Sequence, residues 1–177
     1  MSWRSLKFWG VMLVILGFIG LLAFGLTSDP KKVPSPLLGK MAPDFSVTSL
    51  DGKSSLKLSE LKGIPVVLNF WGSWCPECTR EAPVLEAFYQ RYDKGQNKVR
   101  VLGIAFQDTP SRAKAFAKRF GKNYFLALDD DEGSIALNYG LYGAPETFFI
   151  DPKGIIRFKQ VGGVTPDLLL EQLESML

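Results

Sequence analysis

The chain has 177 residues, enough for one ordinary domain and an extension, and 46% of them are hydrophobic, so a full core can form. It contains no histidine, which excludes mechanisms that need an imidazole base or ligand. Two cysteines are too few for a four-cysteine zinc site, and a formal net charge of +3 gives no case for binding nucleic acid. We therefore expect neither a metal nor another cofactor.

An uncharged apolar segment lies close to the N-terminus. Residues 8–26 carry no charged side chain, and as a helix they would be about 28 Å long, close to the roughly 30 Å hydrocarbon core of a bilayer. Arg4 and Lys7 precede the segment, and basic residues favour the cytoplasmic side. This pattern predicts a cytoplasmic N-terminus at residues 1–7 and a single transmembrane anchor at 8–26. A signal peptide cleaved after Gly25 and a buried core helix are the alternatives.

A proline-containing stretch separates this segment from the folded domain. Residues 27–44 include four prolines and few large apolar side chains. Because proline fixes its own backbone, this composition is typical of an extended, semi-rigid tether. The folded domain is predicted to cover residues 45–177.

Within the predicted domain, the hydrophobic pattern alternates between strands and helices. The predicted elements, in chain order, are a strand at 45–50, a helical turn capped by Ser59 at 59–62, a buried strand at 66–70, a helix at 76–92, a second buried strand at 99–106, helices at 111–120 and 132–139, a hairpin of strands at 147–150 and 155–161, and a closing helix capped by Thr165. This order predicts an α/β fold with helices on both faces of a sheet. The acidic run at 129–132 is interpreted as a solvated loop that leads into a helix cap.

The two cysteines stand where a predicted helix begins. Cys75 follows a buried strand and lies at the helix N-terminus, where free N–H groups and the helix dipole stabilise a thiolate. Cys78, three residues on, lies on the same face and can close a disulfide with it. This arrangement predicts thiol–disulfide exchange, with Cys75 as the attacking nucleophile and Cys78 as the resolving cysteine. The alternative, a purely structural disulfide, would close a loop too short to stabilise the fold by much.

Several segments carry a resemblance to a known family. Residues 70–78, FWGSWCPEC, resemble the active site of the thioredoxin superfamily. Residues 139–148, YGLYGAPETF, and the tether segments 34–40 and 42–45 are similar to a narrower group, the thiol:disulfide interchange proteins of bacterial cytochrome c maturation (the DsbE or CcmG type). The resemblance implies a thioredoxin-like fold, with a central mixed sheet and helices on both faces, preceded by an N-terminal transmembrane helix.

The resemblance also implies roles for individual residues. Pro145 matches the family's cis-proline, which lies beside the disulfide and, together with Ala144 and Trp74, contacts the substrate. Glu81 and Glu146 match acidic residues that tune the cysteine pKa values near the family's active site. The residues alone leave alternatives open, namely a trans proline that starts a strand and surface positions for the two glutamates.

One position departs from the general thioredoxin pattern. Asn69 stands where general thioredoxins carry a buried aspartate, a departure that fits the narrower group and shifts proton handling towards the glutamates. Because nearby negative charge disfavours a thiolate, a reducing rather than an oxidising couple is expected.

The implied function is reduction of the disulfide of apocytochrome c before haem attachment. The catalytic domain would lie on the periplasmic side of the inner membrane and would be re-reduced by a membrane electron donor of the thiol-disulfide transporter type. Two alternatives remain open, a broader extracytoplasmic disulfide reductase and a non-catalytic tether that binds apocytochrome c.

Overall fold

The computed structural model describes residues 3–26, 35–96 and 98–177, and these form two units. The first is a single helix, α1, at Trp3–Leu26. The second is an α/β domain that begins at Ser35 and ends at Leu177. Among the described residues, none of the helices has both the length and the apolar character needed to cross a membrane.

A five-stranded mixed sheet forms the centre of the domain. Its strands lie in the order β5-β4-β3-β6-β7, where β3, β4 and β5 run parallel while β6 and β7 are antiparallel to their neighbours. Their bounds are Val66–Trp71 for β3, Arg100–Ala105 for β4, Phe125–Leu128 for β5, Glu146–Ile150 for β6 and Ile156–Val161 for β7. Every residue of β3 is buried, as expected for a central strand that is covered on both faces.

The remaining elements cover this sheet. Within the described part of the domain, a hairpin of β1 and β2 precedes a 3₁₀ turn, and four helices follow. The bounds are Ser46–Thr48 for β1, Ser55–Lys57 for β2, Leu58–Leu61 for the 3₁₀ turn, Pro76–Phe88 for α2 with a π-helical turn at Tyr89–Asp93, Pro110–Arg119 for α3, Ser134–Asn138 for α4 and Pro166–Met176 for α5. The predicted α/β fold with a central mixed sheet and helices on both faces is confirmed.

Alternation along β3 divides the core into two clusters. Val67 and Trp71 point to the face that is covered by α2, α3 and α5, and both cysteines belong to this cluster. Leu68 and Phe70 point to the opposite face, which is covered by α4 and by residues of the β1–β2 region. We call these the cysteine face and the opposite face of the sheet.

Two strands were missing from the sequence-based prediction. The strand β5 has only four residues and ends close to the acidic run, so its hydrophobic pattern is too short to stand out. The strand β2 contains two polar residues and one apolar one, and it forms because it pairs with β1. The predicted Ser59 cap is wrong, since the Ser59 N–H donates to the Asp44 carboxylate and Lys57 precedes the turn.

Helix caps elsewhere follow the predicted chemistry. The Thr165 hydroxyl accepts a hydrogen bond from the Leu168 N–H at the start of α5. In the acidic run, the Asp129 carboxylate accepts from the N–H groups of Ile135 and Ala136, in the first turn of α4. The run leads into the start of α4, as predicted, but Asp129 is buried rather than solvated and the N-cap residue is Gly133.

The domain begins earlier than residue 45. The Gly39 N–H donates to the Ile156 carbonyl at 2.8 Å, the Ala42 N–H donates to the Gly154 carbonyl at 2.9 Å, and Ala42 is buried. Residues 35–44 therefore pack on the β6–β7 end of the sheet through backbone hydrogen bonds that composition alone does not indicate. The rest of the predicted tether, residues 27–34, lies outside the described residues.

Candidate active site

The cysteine pair lies directly after the central strand, at the start of α2. Cys75 occupies the N-cap position, Pro76 opens the first turn, and the Cys78 N–H donates to the Cys75 sulfur at 3.1 Å. The two cysteines form a disulfide with their Cα atoms 5.3 Å apart. Because an N-cap faces the unpaired N–H groups of the first turn, negative charge that develops on the Cys75 sulfur is stabilised there.

The two cysteine residues differ little in their exposed fraction. Cys75 is 3% exposed and Cys78 is fully buried. Cys75 is therefore the cysteine that an incoming group can reach, in agreement with the predicted order. Its exposed fraction is nevertheless small for a thiol that reacts with other proteins. A substrate has to approach through the groups that surround Cys75.

Trp74, directly before Cys75 in the chain, is 41% exposed. Its indole N–H donates to the Gln107 carbonyl at 3.1 Å, and its ring packs edge-on against Phe106. Gly72 allows this packing, because a Cβ atom there would lie 2.5 Å from the Trp74 indole nitrogen. The indole is thus held in place while one side of it stays open to solvent.

A second contact in this loop was not predicted from the sequence. The backbone N–H and the hydroxyl of Ser73 donate to the two carboxylate oxygens of Asp108, at 2.6 and 2.9 Å. Asp108 follows β4, the parallel neighbour of β3, so the tertiary fold brings the two loops together. The carboxylate fixes the residue before Trp74 and so stiffens the approach to Cys75.

The peptide bond between Ala144 and Pro145 is cis, as predicted. Ala144 packs against the core cluster that contains both cysteines, and the Pro145 carbonyl accepts a hydrogen bond from the Gly162 N–H at 2.9 Å. Ala144 packs equally against the core cluster of the opposite face, and Pro145 is buried. Because Phe70, near the end of β3, pairs with Glu146, the first residue of β6, the cis bond and the loop that carries Cys75 lie at the same end of the sheet.

Glu81 lies in the second turn of α2, where its side chain points into the core, and it is not a surface acid. Its carboxylate accepts from the Asn69 amide at 2.9 Å and from the Val164 N–H at 3.3 Å, and the residue is only 2% exposed. Burial raises the pKa of Glu81 to about 7, against the lowering effects of the Asn69 hydrogen bond and the Lys122 charge. A carboxyl group with this pKa can accept and release a proton near neutral pH.

Glu81 lies on the same side of the sheet as the disulfide. Asn69 lies between Val67 and Trp71 at every second position of β3, so its side chain points to the cysteine face as theirs do. There the Asn69 amide donates to Glu81 and to the Thr147 hydroxyl. Glu81 is also three residues after Cys78 on α2, a spacing that places both on one side of the helix.

Glu146 lies on the opposite face. It pairs across the sheet with Phe70 and has the parity of Phe148, and both of these phenylalanines pack in the opposite cluster. Its carboxylate forms a buried ion pair with Lys159, with 2.7 Å between the charged atoms. Two glutamates that look equivalent in the sequence therefore have different surroundings, and only Glu81 shares the face of the cysteines.

The Glu146–Lys159 pair supports the loop that precedes Pro145. Glu146 accepts from the Tyr142 N–H at 2.9 Å, and the Lys159 ammonium donates to the Gly140 carbonyl at 3.1 Å and lies 4.8 Å from the centre of the Tyr142 ring. These contacts therefore attach the loop of residues 140–145 to Glu146 on β6 and to Lys159 on β7. Lys159 was not singled out from the sequence, because its contacts depend on the pairing of these two strands.

Known proteins with a similar sequence are thiol:disulfide interchange proteins. The chain is 37% identical over 165 residues to the thiol:disulfide interchange protein DsbE of Allochromatium vinosum, an overlap of 93% of this chain and 88% of that protein. The chain belongs to the DsbE family of thiol:disulfide interchange proteins. It is also 35% identical over 150 residues to DsbE of Escherichia coli K12, which covers 84% of this chain and 78% of the relative.

Broader comparisons place DsbE-type chains such as this one among the thioredoxin-like proteins. Residues 38–159 match the AhpC/TSA family. A secreted disulfide oxidoreductase of Mycobacterium tuberculosis, described as homologous to E. coli DsbE, is 25% identical with a TM-score of 0.65, over 74% of this chain and 95% of that one. A thioredoxin family protein of Chlorobium tepidum, 24% identical with a TM-score of 0.69 over 81% and 99% of the two chains, shares the fold.

Proposed function

We propose that this DsbE-type protein reduces the disulfide of apocytochrome c, so that the two thiols of that substrate can accept haem. The observation that carries the proposal is the Cys75–Cys78 pair at the N-terminus of α2, at the end of the sheet where the cis-proline segment begins β6 and on the same helix as the buried Glu81 carboxyl group. A tether without redox chemistry needs neither sulfur, so this arrangement supports an enzyme.

The exchange has two steps. The Cys75 thiolate attacks one sulfur of the substrate disulfide, which forms a mixed disulfide and releases the other substrate sulfur as a thiolate. The Cys78 thiol then passes its proton to the Glu81 carboxylate and attacks the Cys75 sulfur, which releases the second substrate thiolate. Two electrons move to the substrate, its two thiolates take up protons, and the protein is left with the Cys75–Cys78 disulfide.

Substrate approach is assigned to Trp74, Ala144 and Pro145. In support, the Trp74 indole is exposed next to Cys75 in the chain, and the pairing of β3 with β6 brings the cis bond to the same end of the sheet. An extended peptide can lie against Trp74, Ala144 and Pro145 and bring its disulfide to the Cys75 sulfur. Glu81 is assigned the proton step because it lies on the cysteine face.

The N-terminal helix is assigned the role of a single-pass anchor in the inner membrane, with the domain in the periplasm. In support, the apolar side chains that the structure describes along α1, residues 9–24, are exposed on all sides of the helix. Re-reduction of the disulfide then requires a membrane protein that carries electrons out of the cytoplasm. Protease added to intact spheroplasts is expected to remove the domain, and a domain that stays protected would contradict this arrangement.

The test of the function uses full-length protein and an oxidised apocytochrome c peptide with its two cysteines joined. Reduced protein is expected to release both peptide thiols with one turnover per Cys75–Cys78 pair, and the double Cys→Ser variant is expected to release none. The same double variant is expected to fail in complementing cytochrome c maturation. Successful complementation would show the non-catalytic tether instead.

A further inference from the structure

Lys122 is a buried cation in the core beneath the active site. It lies between α3 and β5, is 5% exposed, and its ammonium nitrogen finds no hydrogen-bond acceptor among the described residues. The nitrogen lies 4.0 Å from the centre of the Trp71 ring and 5.3 Å from that of Tyr124. A buried ammonium group without an acceptor destabilises a fold, so packing alone does not account for a lysine at this position.

Backbone and side-chain contacts hold Lys122 in this inward position. Its N–H donates to the Ala117 carbonyl at 3.0 Å, at the end of α3. The next residue, Asn123, donates from its N–H and from its side-chain amide to the Glu86 carboxylate, each at 2.8 Å. The turn is therefore attached to both α3 and α2, and the Lys122 side chain enters the space between these helices and the sheet.

The strand β3 brings Lys122 close to Glu81. Asn69 and Trp71 are two residues apart on the same face of β3, a separation of about 6.6 Å. Asn69 donates to Glu81, and Lys122 covers Trp71. Glu81 and Lys122 are therefore both buried on the cysteine face, each against one of two successive residues of β3 on that face, since Trp71 packs in one cluster with both cysteines.

We propose that Lys122 is a positioning residue for thiol–disulfide exchange, because its positive charge holds Glu81 in the carboxylate form that takes the Cys78 proton. This inference rests on the proposed exchange step and adds to it a residue from outside the active-site motifs. The Lys122 charge lowers the pKa of Glu81 against the effect of burial. Burial in turn lowers the pKa of Lys122 to about 7, against the charges of Glu81 and Glu86, so both groups change protonation near neutral pH.

Other charged groups around Lys122 have partners of their own. The Glu86 carboxylate is occupied by Asn123, and Asp93 forms an ion pair with Arg100 at 3.1 Å. Burial and the charges of Glu81 and Glu86 raise the pKa of Tyr124 well above its usual value, so this phenol stays neutral. The titratable and charged groups that face Lys122 or line the neighbouring cleft are Asp51 in the β1–β2 turn, Glu81 and Glu86 on α2, Tyr89 and Asp93 in the π-helical turn, Arg100 on β4, Lys114 on α3 and Tyr124 just before β5.

The test compares Lys122→Met with Lys118→Met in the reduced full-length protein. Methionine keeps the length of the side chain and removes its charge, and Lys118 is an exposed lysine on α3, the helix that precedes Lys122. With ¹³C-labelled glutamate, the Glu81 carboxyl resonance is identified by its absence in Glu81→Gln and is followed against pH. We expect its midpoint to rise by about one pH unit in Lys122→Met, since an opposite charge has been removed. Lys118→Met is expected to leave the midpoint unchanged.

The second measurement follows the exchange itself. A mixed disulfide between Cys75 and glutathione is prepared, and the rate at which Cys78 resolves it is recorded between pH 5.5 and 9. At pH 7 the rate is expected to fall about fivefold in Lys122→Met, because a shift of one unit lowers the carboxylate fraction of Glu81 by that factor. Lys122→Arg, which keeps the charge, is expected to restore the rate, and Lys122→Gln is a second neutral variant should the methionine variant fold poorly.

The outcomes separate this inference from the proposed function. A Glu81 midpoint that stays in place in both neutral variants would overturn the role of Lys122, whatever the protein reduces. If Lys122→Met shows the expected rise of the Glu81 midpoint but the wild-type protein leaves the apocytochrome c peptide oxidised, the proposed substrate is overturned and Lys122 keeps its role. A merely structural role for Lys122 predicts altered stability with an unchanged pH profile.

Discussion

The Lys159 ammonium nitrogen lies 2.7 Å from a carboxylate oxygen of Glu146, and the side chains of the two residues are 5% and 1% exposed. This pair lies on the face of the sheet opposite to the cysteines, directly under the loop that presents Pro145. Glu146 therefore has a cation of its own, and its contacts hold the substrate-facing loop in place. The sequence-based expectation that Glu146 tunes the cysteines remains a prediction, and the geometry favours Glu81 for that role.

Replacing Glu146 with Gln is expected to destabilise the domain by about 3 kcal/mol, because it leaves the Lys159 charge buried without its carboxylate partner. The loop of residues 140–145 loses its support, so a rise in KM for the peptide is expected with a smaller change in kcat. Urea unfolding and steady-state peptide reduction measure the two effects.

The double variant Glu146→Gln with Lys159→Met is expected to recover part of the stability, since both charges are then gone. The exposed ion pair between Lys57 and Asp44 gives the matched control, with side chains 50% and 43% exposed. Lys57→Met is expected to change stability by less than about 1 kcal/mol. A Glu146→Gln protein as stable as the wild type would contradict the role of the buried pair.

Replacing Cys78 with Ser is expected to trap the mixed disulfide with the substrate, whereas Cys75→Ser is expected to abolish exchange. Cys75 is the N-cap of α2 and the less buried of the two sulfurs, so it reacts first, and without Cys78 the intermediate has no rapid exit. Non-reducing electrophoresis shows the trapped species. Alkylation of the reduced wild-type protein is expected to label Cys75 before Cys78, and the opposite order would reverse the assignment.

Stability is expected to fall as the pH rises from about 4.5 to 7, in the window between the ordinary pKa of Glu81 and its value of about 7 in the folded protein. The folded state binds this proton more tightly than the unfolded chain does, so the contribution is complete below the window and is lost across it. Lys122 acts in the opposite sense above pH 7, where its pKa is lowered.

Urea unfolding of the oxidised protein at pH 5 and pH 7 measures this contribution. Glu81→Gln is expected to remove most of the difference between the two pH values, while Glu174→Gln, a change of an exposed glutamate on α5, is expected to leave it unchanged. A pH dependence that survives in Glu81→Gln would assign the proton to another group.

The redox potential is expected to lie nearer to that of thioredoxin, about −270 mV, than to that of DsbA, about −120 mV. A strong oxidant owes its potential to a heavily stabilised thiolate. Here the buried Glu81 carboxylate, on the face of the cysteines, works against the helix dipole and limits this stabilisation. A glutathione redox titration measures the potential, and a value near that of DsbA would rule out the reductase.

Much of this protein could be read from short segments of the chain. The buried run of β3, followed by Cys75-Pro76-Glu77-Cys78, predicts a strand, a helix start and a redox pair from neighbouring residues alone, because each of these features depends on local backbone chemistry. The cap at Thr165 is local in the same sense. The segment before Glu146 indicated the cis bond only through its resemblance to a known family.

Other features were decided by contacts between residues far apart in the chain. Alternation along β3 and β6 places Glu81 with the cysteines and Glu146 on the opposite face, although both are acids near a motif. Lys122 and Lys159 are ordinary basic residues in the sequence. They become buried partners of those two glutamates because α3, β5 and β7 bring them there, and burial is what gives their charges a strong effect.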